Sequence, residues 1–257
     1  VGIIIFIGGL FYLFSVKPLK DDLIKQDSAL QLLQKEVKES FGIIVLLTSF
    51  VGYFSILDFG LGSAIIKNIS QTYAKGDKDA LAKIISTSFT TFFVLGLIGA
   101  ILIILSTKFI VQYLLHVSPA LSSSAEAAFY ISALTFFISM ITVVLVSIPS
   151  AFQRMDIVNS RNIFLGLLNA LGTVLLLALG YSLIAVVVWN VVISALATLI
   201  FLIIITKFLP GVSIRWGFDK EPFLKLFRFG GYKFISNISG QIIFQLDRFL
   251  IGIFSGV

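Results

Sequence analysis

Long apolar runs recur along this chain, and most of them are long enough to cross a lipid bilayer. A membrane-spanning helix requires about 20 consecutive, mostly apolar residues. Such runs cover about Phe41–Ile66, Ile84–Leu115, Ala125–Phe152, Ile163–Leu179 and Leu183–Phe208, with a shorter one at Val1–Val16 and another that starts near Tyr232. We therefore predict an all-α, polytopic membrane helix bundle of about seven spans, the first of them truncated.

The overall composition agrees with a membrane protein. Of the 257 residues, 58% are hydrophobic and 12% are charged, and the mean hydropathy is +1.06. Soluble domains contain about 25% charged residues. The net charge of +6 is explained by basic loops at the membrane surface, so it does not indicate a nucleic-acid partner. Cysteine is absent from the sequence, which excludes disulfides and thiolate metal sites.

Basic residues concentrate in alternate connections between the predicted spans. The connections after spans three and five, HVSPALSSSAE and LGYS, carry neither Lys nor Arg. The connections after spans two, four and six carry Lys67, Lys75, Lys78, Lys83, Arg154, Arg161, Lys207, Arg215, Lys220, Lys225 and Arg228. Because loops rich in Lys and Arg stay in the cytoplasm, this pattern places the basic connections inside.

Two segments between spans are predicted to lie at the membrane surface. Lys17–Glu39 has Leu23, Leu30, Leu33 and Val37 at helical spacing, which indicates an amphipathic helix. Phe223–Phe229 mixes aromatic and basic residues, which suits the headgroup layer. Asp77 and Asp79 lie among lysines, where we predict a solvated turn and a helix cap. We divide the chain into 1–40 (truncated span one and amphipathic segment), 41–209 (spans two to six), 210–231 (cytoplasmic or interfacial loop) and 232–257 (span seven).

Ionisable and amide side chains within the apolar runs are the candidate functional residues. An acidic residue at the centre of a membrane helix costs about 2.5–3.5 kcal/mol on insertion scales, so Asp58 in span two needs a reason to be there. In span seven, one helical stripe carries Asn237, Gln241 and Arg248, with Gln245 beside it and Asp247 on its flank. Such a stripe must face other helices or water rather than lipid.

Spans five and six carry further polar stripes. Asn162, Gly166, Asn169 and Thr173 share one face of span five, and Asn190, Ser194 and Thr198 share one face of span six. One interpretation is hydrogen bonding between helices, at about 0.6 kcal/mol for each bond on average. The other is a polar cavity shared by several helices, which stripes on three spans together with buried charges favour.

Motifs of enzymatic chemistry are missing from the sequence. It contains no P-loop, no HExxH and no Gly-rich dinucleotide turn, and its single histidine, His116, cannot form a metal site alone. The external connections between spans two and seven are too short for a paired-carboxylate site. We therefore predict a protein that is not an enzyme and that needs no cofactor and no metal.

Two stretches carry a family resemblance. FGIIVLLTSFVGYFSILDFGLGSAIIKNISQTYAKGDKDALAKIIST resembles the second span and following loop of polysaccharide-exporting flippases, and FGGYKFISNISGQIIFQLDRFLIGIFSGV resembles their seventh span with its Asp-Arg pair. These proteins form the Wzx-like branch of the multidrug/oligosaccharidyl-lipid/polysaccharide exporter superfamily. The resemblance covers Phe41–Val257, and Val1–Ser40 has no counterpart in the family pattern.

The resemblance implies a fold and an activity. Members have two six-helix lobes around a central cavity, so this chain would hold the first lobe and the first helix of the second. They move lipid-linked oligosaccharide across the bacterial inner membrane by alternating access. In that scheme Arg248 is the candidate for binding the anionic diphosphate or an acidic sugar. Asp58 is the candidate for coupling to H+ or Na+ or for pairing helices, and Asp247 with Arg248 lies at or near the cavity.

Two alternatives remain open from the sequence. A drug or small-cation exporter of the same superfamily would have a cavity dominated by acidic and aromatic residues. A non-transporting membrane scaffold protein would use its polar stripes only to bind helices together. Membrane lipids are expected around the protein in all three cases.

Overall fold

A computed structural model describes residues 60–114, 119–208 and 216–236 of the chain, and these residues are almost entirely helical. The helices are α1 (Leu61–Ala74), α2 (Lys78–Phe109, continued by a π-helical turn at Ile110–Leu114), α3 (Pro119–Ala151), α4 (Met155–Ala178), α5 (Leu183–Phe208) and α6 (220–236). The all-α prediction is confirmed for this part of the chain.

Helices α2 to α5 are each long and apolar enough to cross a membrane. The crossing stretches are Lys78–Tyr113, Ser122–Ala151, Met155–Ala178 and Ile184–Ile205. They correspond to predicted spans three to six, and α5 has the predicted bounds. Predicted span one, most of span two and most of span seven lie outside the described residues. The division of the chain into four segments therefore stays a prediction.

The connection between α1 and α2 is a tight turn with a helix cap. Gly76 adopts a left-handed backbone conformation (φ 73°), and the Asp77 carboxylate then accepts a hydrogen bond of 2.9 Å from the Ala80 amide. Asp79 lies in the first turn of α2, where an acidic side chain suits the helix dipole. The predicted turn and cap are confirmed. Lys78 and Lys83, however, lie within α2 rather than in a loop.

Gly60 interrupts the helix predicted over Phe41–Ile66. Its backbone is left-handed (φ 68°), and α1 begins only at Leu61. A Cβ atom at Gly60 would lie 2.9 Å from the Cβ of Lys233 on α6. Glycine is thus required twice here, for its backbone conformation and for the close approach of α6. The prediction of one continuous helix was wrong at this position.

Helix α3 occupies the centre of the described bundle. It contacts α1, α2, α4 and α5. Its buried side chains include Phe136, Met140, Val144 and Ile148, which recur every four residues along one face. On α2, a Cβ atom at Gly99 would overlap the Phe136 ring, so the missing side chain lets the two helices approach closely.

Helix α3 ends just after Pro149, which cannot continue the helical hydrogen bonding. The proline lies in the last turn, α3 ends at Ala151, and the Arg154 amide donates to the Pro149 carbonyl at 3.0 Å. Helix α4 then begins at Met155, well before the predicted start at Ile163. Arg161 is therefore part of a membrane helix, and its assignment to a loop was wrong. The apolar run marks where a helix enters hydrocarbon, whereas the helix itself starts earlier.

The short segment 216–219 is fastened to α2. Thr90 donates its hydroxyl hydrogen to the Gly217 carbonyl (2.9 Å), and the Asp219 amide donates to the Thr87 hydroxyl (3.2 Å). The Trp216 ring also meets the Phe93 ring edge-on, with centroids 5.0 Å apart. These contacts fix the start of α6 against the bundle, and α6 inserts Leu226 into the core.

We expect Gly99→Ala to lower the stability of the protein by about 1–3 kcal/mol, because the buried Phe136 ring cannot move away from the added methyl group. Gly166→Ala is the matched control. Its Cβ would meet nothing within 4 Å, so the change should be neutral or stabilise by about 0.4–1 kcal/mol. Unfolding in mixed detergent micelles measures both, and equal stabilities for the two variants would contradict the packing argument.

Candidate functional site

The described residues include only part of the predicted site. Asn162 and Asn169 lie on α4 and can be placed. Asp58, Asn237, Gln241, Gln245, Asp247 and Arg248 lie outside the described residues, so their roles stay predictions. The part of the predicted site that the structure describes is therefore formed by the polar stripes on α4 and α5.

The two predicted stripes meet at the centre of the contact between α4 and α5. The Asn169 side-chain amide donates to the Asn190 side-chain carbonyl at 3.1 Å, and Asn190 in turn donates to the Val186 carbonyl at 2.9 Å. Each stripe is therefore partly used for binding helices together. Asn169 retains a buried side-chain oxygen that accepts no hydrogen bond from the described residues.

Thr198 extends this bonding from α5 to α3. Its hydroxyl lies 2.8 Å from the Thr142 hydroxyl, and it also donates to the Ser194 carbonyl at 2.9 Å. The α5 stripe thus faces two neighbouring helices, α4 through Asn190 and α3 through Thr198. This arrangement explains why polar residues recur along a helix that is otherwise strongly apolar.

A tryptophan fits against α4 beside the Asn169–Asn190 bond. A Cβ atom at Gly172 would overlap the Trp189 indole, so the glycine provides the space in which this ring lies. The Trp189 indole nitrogen donates to the Asn169 backbone carbonyl at 3.4 Å. Asn169, Gly172, Trp189 and Asn190 together form what we call the α4–α5 latch.

The remaining polar residues of α4 lie at the edge of this contact. Val158 and Leu165 are the buried residues of α4, whereas Asn162 and Gly166 are exposed and Asn169 is half-buried. The stripe predicted from the sequence therefore runs beside the buried face of α4, not along its centre. Asn162 and Gly166 form a polar edge that the described helices leave uncovered.

Arg161 adds a positive charge to this polar edge. Its guanidinium carbon lies 4.8 Å from the centre of the Phe201 ring on α5, and its Nη1 donates to the Asn162 side-chain oxygen at 2.7 Å. Its Nε is buried and has no hydrogen-bond partner among the described residues. A cation over an aromatic ring is stabilised by the ring quadrupole, which helps to hold Arg161 at this depth.

A cavity of about 400 Å³ lies beside Arg161 between α4 and α5. It is lined by Asp156, Ile157, Ser160, Arg161, Phe164, Ile200 and Ile204. The Asp156 carboxylate is already bound by Arg154 through hydrogen bonds of 2.9 and 2.8 Å. The one side chain in the lining that carries an unpartnered buried donor is therefore Arg161, which suits an anionic or hydrogen-bond-accepting group.

Arg161 was missed as a site residue at the sequence level. A signal was present, because Arg161, Leu165 and Asn169 recur every four residues on one broad face. Assigning Arg161 to a loop removed it from consideration. Helical spacing can thus show that a charged residue just before an apolar run belongs to the same helix as that run.

The described helices define a polytopic helical membrane protein with polar contacts between its spans. Residues 37–257 match the family described as polysaccharide biosynthesis protein, and the chain belongs to that family. The match leaves out residues 1–36. Together with the four apolar helices, it identifies an integral membrane protein of the bacterial inner membrane. The resemblance seen in the sequence is thereby confirmed.

Two curated relatives are similar over most of this chain. The "Putative O-antigen transporter" of Shigella flexneri is 26% identical over 220 residues, which is 83% of this chain and 50% of that protein. The "Uncharacterized membrane protein EpsK" of Bacillus subtilis is 20% identical over 215 residues, or 81% of this chain and 42% of that protein. The chain thus spans about half the length of these relatives. No solved structure matches it significantly.

We expect a double-mutant cycle of Asn169→Ala and Asn190→Ala to show a coupling of about 0.6 kcal/mol, the average for hydrogen bonds between membrane helices. The control cycle pairs Asn162→Ala with Asn190→Ala. Asn162 lies about 10 Å of helix rise from Asn169, so these two changes should be additive. Unfolding in mixed detergent micelles gives each free energy. Equal coupling in both cycles would contradict the bond.

Proposed function

We propose that the chain is part of a flippase that moves lipid-linked oligosaccharide across the bacterial inner membrane by alternating access. The substrate would be a polysaccharide repeat unit on its lipid carrier, carried from the cytoplasmic to the outer leaflet without covalent chemistry. The family membership and the printed name of the Shigella flexneri relative support a role in polysaccharide export.

The observation that carries the proposal is the uncovered polar edge of α4. Asn162 and Gly166 are exposed where α4 enters hydrocarbon, and the buried Nε of Arg161 beside them has no hydrogen-bond partner among the described residues. Polar groups at this boundary require water, other helices or a polar ligand. A hydrated cavity between two lobes, with this edge on the wall of the first lobe, meets that requirement.

The proposed roles of the charged residues follow from their chemistry. Arg248 would bind the diphosphate or an acidic sugar, because a guanidinium offers paired donors to phosphate oxygens. Asp58 would couple transport to H+ or Na+ or hold a helix pair, with Asp247 beside Arg248 as a second intramembrane charge. Asn237, Gln241 and Gln245, with Asn162 and Asn169 of α4, would supply hydrogen bonds to sugar hydroxyls.

A non-transporting scaffold protein is the second candidate. The Asn169–Asn190 and Thr142–Thr198 hydrogen bonds favour it, because both use polar side chains to join helices. The two candidates differ in what happens to a labelled lipid. A scaffold leaves it in its original leaflet, and a drug or small-cation exporter of the same superfamily would move a cationic dye instead.

We expect Asp58→Asn and Arg248→Ala each to slow translocation at least about tenfold, because each change removes a charge to which the proposal gives a direct role. The assay uses the full-length protein in vesicles with fluorescently labelled lipid-linked oligosaccharide. The amount inserted into the vesicles is measured for every variant.

Two variants serve as controls in this assay. Asp79→Asn removes a carboxylate from the first turn of α2, outside the proposed cavity, and should transport at the wild-type rate. Arg248→Lys keeps the positive charge and should retain part of the activity. Wild-type rates for both Asp58→Asn and Arg248→Ala would show that the assigned site is wrong.

A further inference from the structure

A second cavity lies between α1 and α6, at the membrane surface that the charge distribution predicts to be cytoplasmic. Its volume is about 410 Å³. Lys67, Asn68 and Gln71 line it from α1, and Lys225, Arg228, Phe229 and Tyr232 line it from α6. The volume is within the range of pockets that bind small ligands, about 300–1,000 Å³.

The charges of the described lining residues have one sign. Lys67, Lys225 and Arg228 are cationic, and no lining residue that the structure describes is acidic. Glu221 lies one helical turn from Lys225 and binds it at 2.7 Å, but it is not part of the lining. This contact lowers the pKa of Glu221, so Lys225 is partly neutralised, while no described carboxylate pairs with Lys67 or Arg228.

The three cationic groups of the lining are hydrogen-bond donors only. The two side-chain amides and the phenol that complete it can donate or accept, and Asn68 already donates to the Ala64 carbonyl at 2.8 Å. Charge-assisted hydrogen bonds from Lys and Arg to phosphate are among the strongest that proteins form, and the guanidinium can bind two oxygens at once. The cavity therefore suits a small group with several anionic oxygens, which describes a phosphate or diphosphate.

The surroundings indicate that such a phosphate is carried by a lipid. Phe229 and Tyr232 lie in the same wall as the cations, and the Lys67 ammonium is 4.1 Å from the centre of the Phe229 ring. Mixed aromatic and basic residues are typical of the headgroup layer of a bilayer. Most of its lining residues are exposed, so the cavity opens to the surface, as a headgroup attached to acyl or prenyl chains requires.

Contacts with other helices position both walls of the cavity. Helix α6 is attached at its start by the bonds of segment 216–219 to Thr87 and Thr90. Helix α1 is bonded to α3 through Ser70 and the Ala151 carbonyl. Near its other end α6 passes close to Gly60, where the absence of a side chain permits the approach. A site whose side chains are held in place loses less entropy on binding.

From this geometry we infer that Lys67, Lys225 and Arg228, with Asn68, Gln71 and Tyr232, bind the phosphate of a lipid headgroup at the cytoplasmic membrane surface. The lipid is either an anionic phospholipid or a polyprenyl diphosphate, which share this chemistry. None of these six residues is among those proposed for translocation. It would exist whether or not the protein is a flippase.

The test measures lipid binding to the full-length protein in neutral detergent by native mass spectrometry. The probes are phosphatidylglycerol, undecaprenyl diphosphate and phosphatidylcholine, with inorganic pyrophosphate as competitor. We expect Lys67→Gln and Arg228→Gln each to weaken binding of the preferred phosphate lipid about fivefold, and the double variant more. Lys75→Gln and Lys220→Gln remove charges outside the lining and should leave binding within about twofold.

The outcomes separate the possible ligands. Tighter binding of undecaprenyl diphosphate than of phosphatidylglycerol, lost in the double variant, identifies the carrier lipid, and the reverse order identifies a phospholipid. Pyrophosphate binding as tightly as the lipids would overturn the headgroup assignment in favour of a free anion. Wild-type lipid binding by the double variant, or equal losses in the Lys75 and Lys220 controls, would overturn the site itself. The double variant's thermal melting confirms that it is folded.

Discussion

Helices in hydrocarbon gain little by burying apolar side chains against one another, so this bundle depends on close packing and on hydrogen bonds between helices. Helix α3 supplies both. Its Phe136 ring fills the space left by Gly99, and its Thr142 hydroxyl meets Thr198 of α5. At its end, the Ala151 carbonyl accepts a hydrogen bond from Ser70 of α1 at 2.9 Å. Helix α3 thereby joins α1, α2 and α5 through contacts that do not depend on the hydrophobic effect.

Hydropathy predicted the membrane helices well where their ends coincide with the ends of the apolar run. Helix α5 is such a case, because the predicted span and the observed helix both end at Phe208. Helices α2 and α4 begin earlier than predicted, at Lys78 and Met155. Their first turns carry charged residues: Asp77 caps α2, and Asp156 of α4 pairs with Arg154. The helical backbone bonds therefore continue outside hydrocarbon. The apolar pattern of the sequence alone therefore does not show where these helices begin.

Spacing predicted which polar residues share a face, but not the direction of that face in the bundle. Asn162, Gly166, Asn169 and Thr173 do fall on one side of α4. The centre of the buried face, however, follows Val158 and Leu165. A shift of one residue rotates a helix by about 100°, so this direction depends on side-chain volumes across the contact, such as Trp189 against Gly172. The stripe thus serves two purposes, with Asn169 in the latch and Asn162 on the open edge.

The two threonine hydrogen bonds to segment 216–219 determine where α6 begins relative to α2. Thr87 and Thr90 tie the backbone of this segment to α2, and α6 then crosses beside Gly60 at the start of α1. Helix α6 therefore rests on two different helices: it is hydrogen-bonded to α2 at its start and packs closely against α1 near Gly60. The width of the space between α1 and α6 thus depends on how α2 is placed relative to α1.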